Sequence, residues 1–335
     1  MSVNLHSLIP ESTETDWMPS ASQETLLKRA RFLRAIREFF YVRDVMEVDT
    51  PVLTQAPVTD PHIESMQIIT ASENNNLYLG TSPEFYMKRL MAAGSGSIYQ
   101  LGKVFRNDEQ GKLHSPEFTM LEWYRAEFDH HALMHEVDEL MQYLLQTEKA
   151  DRMTYGAAFE QYAGLNPFTA TIKQLQDCAN TSGINLVSNK MERDDWLALL
   201  LTHLIEPRLG KLRPVFIYDF PASQAALARV HREGEYEVAE RFELYYHGIE
   251  LANGYHELTD SQEQRRRFEQ DRERRRQSGK PVFDYDEAVL AALNAGLPDC
   301  AGVAAGVDRL FMLAEKLQNI HQGQAFSVNF SHPAT

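Results

Sequence analysis

Residues 97–124 hold two strand-like runs, SIYQLGKVFRND and HSPEFTMLEWY, on either side of a polar turn at Gly111 and Lys112. Apolar and charged residues alternate through both, the period of a strand with two different faces. Arg106, Glu122 and Tyr124 fall among residues that otherwise belong on a buried sheet. A carboxylate there is costly unless it meets a cation. The pattern therefore demands a paired sheet with a polar ligand or a counter-charge over one face.

The remaining elements set that pair in a larger sheet. Residues 1–19 read as a flexible arm. Ser20 and Gln23 resemble a capping box, and Leu26, Ala30, Leu33, Ile36 and Phe40 follow at helical spacing to about Asp44. VMEVDTPVLT reads as a strand with Pro51 at an edge or interface. NLYLGTSPEFYMKRL is a strand that turns at Ser82-Pro83 into a helix from about Glu84. Helical periods fill 130–149 and 190–206, and PVFIYDFP and AERFELYYHGIELANGYHELT return to strands. A charged helix spans 260–278, and DCAGVAAGVDRLFMLAEKL passes from a small-residue strand into a helix. Strands at both ends of the chain around a helical insertion at about 130–212 predict an α+β fold, with a mainly antiparallel sheet flanked by helices. Residues 20–335 form one domain in this reading.

Three clusters carry chemistry. Arg106 ends a strand before a polar turn, where it suits a phosphate clamp or a surface pair with Asp108 or Glu109. Phe118 beside it suits either the core or a purine ring. In the second cluster Glu243 and Glu250 flank a His247-Gly248 turn, so facing strands bring two acids together. Such a pair repels unless a metal or a shared proton intervenes, and Mg²⁺ with substrate phosphates is the favoured answer. Asn253 and Glu257 lie further along and suit a ligand amine. The third cluster, GVAAGVDRLFML, permits close backbone approach and sets Arg309 at a helix start. No P-loop, dinucleotide or kinase motif occurs.

The bulk properties narrow the partners. A net charge of −15 disfavours nucleic acid, although a local basic patch remains open. No apolar run spans a membrane, the first residues lack a signal peptide, and two isolated cysteines give no disulfide framework. The cytoplasm is the expected compartment. RRRFEQDRERRRQSGK, Arg265 to Lys280, is either a solvated helix face or a basic patch that steers an acceptor.

In this order the clusters resemble the three motifs of class II aminoacyl-tRNA synthetases. EVDTP ending at Pro51 is similar to the dimer-interface motif 1, FRNDEQGKLHSPEF to motif 2, and GVAAGVDRLFML to motif 3. TSPEFYMKRL, FTMLEWY and GIELANGYHEL resemble the lysine subgroup. Lysyl-tRNA synthetases carry an anticodon-binding domain before motif 1, and only a short arm is expected here. A lysyl-synthetase core of this kind resembles the elongation factor P–(R)-β-lysine ligase family, whose members use ATP to attach (R)-β-lysine to a lysine of elongation factor P.

The resemblance implies roles. Arg106 and Arg309 are the catalytic pair, on the α- and γ-phosphates of ATP, and His114 approaches the β- and γ-phosphates. Phe118 stacks adenine, and Asn107, Asp108, Ser115, Glu250, Leu251 and Gly306 complete the nucleotide contacts. Glu243 and Glu250 hold Mg²⁺. Ser82, Pro83, Glu84, Glu122, Tyr124, Asn253, Glu257 and Ala304 line a pocket for (R)-β-lysine or lysine. The resemblance also implies a homodimer through motif 1. Asp108 and Ser115 depart from the usual Glu and Asn: the shorter acid is expected to weaken adenine recognition, and the serine to lose part of an ATP contact. Ser82 and Ala304 favour the ligase over tRNA-charging relatives, where Ala and Gly are more usual. Charging of tRNA and a non-catalytic regulatory role are the alternatives.

Overall fold

A computed structural model describes residues 17–69, 76–107, 110–184 and 191–327. In chain order the strands are β1 (Met46–Glu47), β2 (Leu53–Thr54), β3 (Gln67–Ile68), β4 (Leu77–Leu79), β5 (Ile98–Phe105), β6 (Glu117–Ala126), β7 (Asp151–Thr154), β8 (Val215–Pro221), β9 (Val230–Glu233), β10 (Tyr236–Tyr246), β11 (Ile249–His256) and β12 (Cys300–Gly306). The α-helices are α1 (Gln23–Tyr41), α2 (Glu84–Ala92), α3 (His130–Leu145), α4 (Tyr155–Ala163), α5 (Ile172–Thr181), α6 (Arg193–Leu200), α7 (Ser261–Gln277), α8 (Glu287–Gly296) and α9 (Val307–Ala314).

Nine strands form the main sheet in the order β1-β5-β6-β12-β11-β10-β8-β7, with β9 alongside β10. Pairing is antiparallel except at the edges, where β1 runs parallel to β5 and β7 parallel to β8. The fold is α+β, as the strand and helix periods predict. VMEVDTPVLT is not one strand: β1 joins the main sheet and β2 a small second sheet with β4 and β3. Pro51 lies between them, where its missing N–H costs neither sheet a bond.

The alternation in β6 resolves into two faces. Leu121 and Trp123 enter a core made with Phe32, Ile36 and Phe40 of α1, Leu133 and Val137 of α3, and Phe311 of α9. Phe118, Met120, Glu122 and Tyr124 face a cleft on the other side. A second core joins α4, α5 and α6 to β8 and β10, and a third packs α2 and α8 around Ile98 and Cys300.

Two local expectations are corrected. The cap of α1 is Ser22, whose Oγ accepts from the Thr25 amide at 3.1 Å. Ser20 instead bonds Ala325 and Ser327, so a tertiary contact takes it from the helix. The helical period at 130–149 stops at Leu145, because Gln146 turns left-handed before β7. Of the two readings of Arg265–Lys280, the pairing of its charges favours the solvated face. Arg265 pairs with Glu287, Arg266 and Arg267 with Glu263, Arg272 with Asp284, Arg276 with Glu273, and Arg275 and Lys280 with Glu64. Opposite charges at that range cancel most of the field the sequence suggests.

Candidate active site

A cleft of about 470 Å³ crosses β6, β12, β11 and β10 at the centre of the sheet. One end is cationic. Arg106 follows β5, with its guanidinium 5.2 Å from the centre of the Phe118 ring. Arg309 lies in the first turn of α9 and donates to the Leu113 and Glu250 carbonyls, with His114 Nε2 2.8 Å from its Nη2. Its neighbour Asp308 accepts from the Thr119 amide at 2.7 Å and pairs with Arg29 at 2.8 Å. That pair fixes α9 against β6 and aims Arg309 into the cleft. Ser115 Oγ is buried here without a hydrogen-bond partner among the described residues.

The other end holds three carboxylates around one ammonium. Lys88 of α2 is 2.7 Å from both Glu84 and Glu257. Burial alone would push its ammonium down, but the charges of Glu257 and Glu84 outweigh that and hold it above its usual range. Glu122 accepts from the Ser82 hydroxyl at 2.7 Å and the Tyr124 hydroxyl at 2.8 Å. Burial, and then the charge of Glu84, push Glu122 up to about 8. Glu257 rises to about 7, through burial and Glu84 against the opposing pull of Lys88. The site is short of positive charge, which is what a diamino ligand supplies.

Glycine at 302 makes this end possible. A Cβ there would collide with the Tyr124 ring and the Glu257 carboxylate. At Gly306 a Cβ would meet nothing closer than Arg309 Cδ at 3.8 Å, so the open space above it belongs to the cleft. Ala304 sits between Glu122 and Asn253 in the strand register.

The acids near the middle differ from the expected facing pair. Glu243 lies opposite Asn253, and after a bulge Glu250 lies opposite Tyr245. Arg241 and the Tyr245 hydroxyl both bind Glu243, so an arginine supplies part of the compensation assigned to a metal or proton. Burial and the charge of Glu243, with a further contribution from Glu206, still push Glu250 up to about 7. Unrelieved repulsion of this kind fits a divalent cation.

Of the expected residues, Ser82, Glu84, Arg106, His114, Ser115, Phe118, Glu122, Tyr124, Glu243, Glu250, Leu251, Asn253, Glu257, Ala304, Gly306 and Arg309 all line this one cleft. Pro83 caps α2 and Asn107 binds the Glu64 carbonyl, both at its margin. Asp108 lies outside the described residues. Lys88, Arg241, Tyr255, Gly302 and the 58–63 loop escaped sequence reasoning. Arg241 and Tyr255 follow the same two-residue period as Glu243, Asn253 and Glu257, and that signal could have found them.

The profile of the class II tRNA synthetases (D, K and N) matches residues 10–329. A protein of Edwardsiella ictaluri named elongation factor P–(R)-β-lysine ligase is 50% identical over 323 residues, covering 95% of this chain and 99% of its own. Proteins of the same name from Pseudoalteromonas translucida and Vibrio cholerae are 52% and 50% identical, over 93% and 94% of this chain and 98% of each relative. The chain belongs to the elongation factor P–(R)-β-lysine ligase family. Within that family the cleft is its candidate active site. Among the described residues no helix is long and apolar enough to cross a membrane.

Proposed function

We propose that the protein activates (R)-β-lysine, or lysine, with ATP and transfers it to a lysine side chain of elongation factor P. One observation carries this reading: a single cleft has a cationic end at Arg106, His114 and Arg309 and an acid-rich end at Glu84, Glu122 and Glu257. A nucleotide and a diamino acid have complementary charges for those two ends.

The substrate carboxylate attacks the α-phosphorus, the bond to the β-phosphate oxygen breaks, and pyrophosphate leaves. Arg106 stabilises the charge that develops at the α-phosphate, and Arg309 with His114 orients the outer phosphates. Phe118 offers a face for adenine. Mg²⁺ held by Glu243 and Glu250 would neutralise phosphate charge. Glu122, Glu84, Asn253 and Glu257 hold the amino groups, with Ser82 and Tyr124 fixing the Glu122 carboxylate. A neutral lysine amine of the acceptor then attacks the adenylate carbonyl. The C–N bond forms, the bond to AMP breaks, and the amine proton passes to solvent.

The relatives' names support elongation factor P as the acceptor. Exposed Tyr41, Val42, Val52 and Leu53 beside motif 1 support a homodimer, and a cytoplasmic location follows from a partner in translation. The test is to supply ATP, labelled (R)-β-lysine or lysine, and either elongation factor P or tRNA. Label on elongation factor P is expected; label on tRNA alone would replace this reading with tRNA charging.

A further inference from the structure

On the side of β10 and β11 away from the cleft, three side chains converge that the chemistry above leaves unused. His130 opens α3, Glu240 lies on β10 and His256 on β11, and their ligand-capable atoms lie within 4.8 Å of one another. Strand alternation separates them from the cleft, since Arg241, Tyr255 and Glu257, one residue away, are the ones that line it.

The two histidines have matching surroundings. His256 presents Nδ1 to Glu240 Oε2 and Nε2 to Asp299 Oδ1 at 2.8 Å. His130 presents Nδ1 to the same Glu240 oxygen at 3.9 Å and Nε2 to Asp219 Oδ1 at 3.7 Å. Metal-ligating histidines characteristically have a carboxylate on the far nitrogen, which fixes the tautomer and leaves the near one free to bind. His130 is only 4% exposed, yet among the described residues neither of its ring nitrogens has a hydrogen-bond partner, nor does the buried Asp219 Oδ1. Such a group is costly to bury without a partner. With Nε2–H given to Asp299, the Nδ1 of His256 faces a carboxylate across a contact that a proton bridges and that a metal ion would replace. His231 Nδ1, 3.1 Å from Glu240 Oε1, brings a further imidazole to the edge of the group.

We propose that His130, Glu240 and His256 form a structural site for a divalent transition metal of the Zn²⁺ class. Two imidazoles and a carboxylate suit Zn²⁺ rather than Mg²⁺ or Ca²⁺, which favour oxygen. The ion would tie the start of α3 to the two strands that carry Arg241 and Tyr255, and so stiffen the back wall of the cleft without touching substrate.

The test is to titrate chelator-treated full-length protein with Zn²⁺, following binding and melting temperature, and to locate the ion by anomalous diffraction. One ion per chain is expected, with a higher melting temperature and an anomalous peak among His130, Glu240 and His256. Glu250→Gln should retain that binding, and His130→Leu should abolish it. Asp219→Asn, which removes the outer carboxylate of His130, should weaken it about 10–100-fold. Failure of the wild type to bind, equal binding by His130→Leu, or a peak only at Glu243 and Glu250 would each overturn the proposal. If His130→Leu does not fold, the position of the wild-type peak decides alone.

Discussion

Lys88 and Glu257 approach to 2.7 Å with neither side chain more than 3% exposed. Together with Glu84 they form a buried group in which one ammonium serves two acids beside a third, Glu122. Removing the cation leaves uncompensated charge in a low-dielectric site. Lys88→Met should therefore lose about 3–5 kcal/mol of stability in urea unfolding. Adding Glu257→Gln should restore part of that loss, since neighbouring members of one network do not add. Additive losses would mean that the two residues are not coupled.

The protonation of Glu122 gives a pH signature. Burial and Glu84 raise it from 4.5 to about 8. An ammonium ligand binds the carboxylate, so below about pH 8 binding must expel a proton. Affinity for the amino acid should rise with pH from 6 toward 8, by at most tenfold per unit, with proton release visible as a buffer-dependent heat of binding. The sign for stability is opposite. Between about pH 4.5 and 8 the unfolded carboxyl has lost its proton while the folded one keeps it, so this group's contribution falls as pH rises through that window. Glu122→Gln should flatten both profiles, and unchanged slopes would assign them to other acids.

Adenylate formation should depend on Arg106. Arg106→Ala removes a donor aimed at developing charge and should slow lysine-dependent pyrophosphate exchange by roughly 10²–10³. Near-normal exchange would remove Arg106 from the mechanism.

The methyl of Ala304 tests the pocket wall. Its position between Glu122 and Asn253 places a side chain where glycine would leave room. Ala304→Gly should shift preference from (R)-β-lysine toward α-lysine by about 1–3 kcal/mol, or roughly 10–200-fold. The ratio of kcat/KM values for the two substrates measures this directly.

What the sequence made legible is what has a local period. The strand repeat of β6 marked Phe118, Glu122 and Tyr124 as one face, and the small residues of β12 before Arg309 marked a close approach. Lys88 was not legible, because beside Glu84 it reads as an ordinary helical pair, and its second partner, just past β11, is far along the chain. Arg275 looked like one more charge in a polar helix until the fold brought a loop around it. His130 gained meaning only when three elements met. Periodicity reports faces, and it is silent about which faces touch.

That buried arginine supplies the last prediction. Arg275 is 0% exposed, donates from Nε to the Pro281 carbonyl and from Nη1 to those of Asp60 and Ile63, and pairs through Nη2 with Glu64. The loop it holds contributes Val58, Asp60, His62 and Ile63 to the cleft, and the Glu64 carbonyl accepts from the amide of Asn107, next to Arg106. A guanidinium can serve all four oxygens at once because its donors are fixed in a fork, and a lysine ammonium cannot. Arg275→Lys should thus raise KM in pyrophosphate exchange and increase hydrogen exchange in residues 58–64. Arg275→Ala should also cost about 3–5 kcal/mol of stability by leaving Glu64 underpaired. Arg276→Ala, on the exposed side of the same helix, should change stability by only about 0–1 kcal/mol. Equal effects from the inner and outer arginines would show that α7 acts through its overall charge rather than by anchoring the loop.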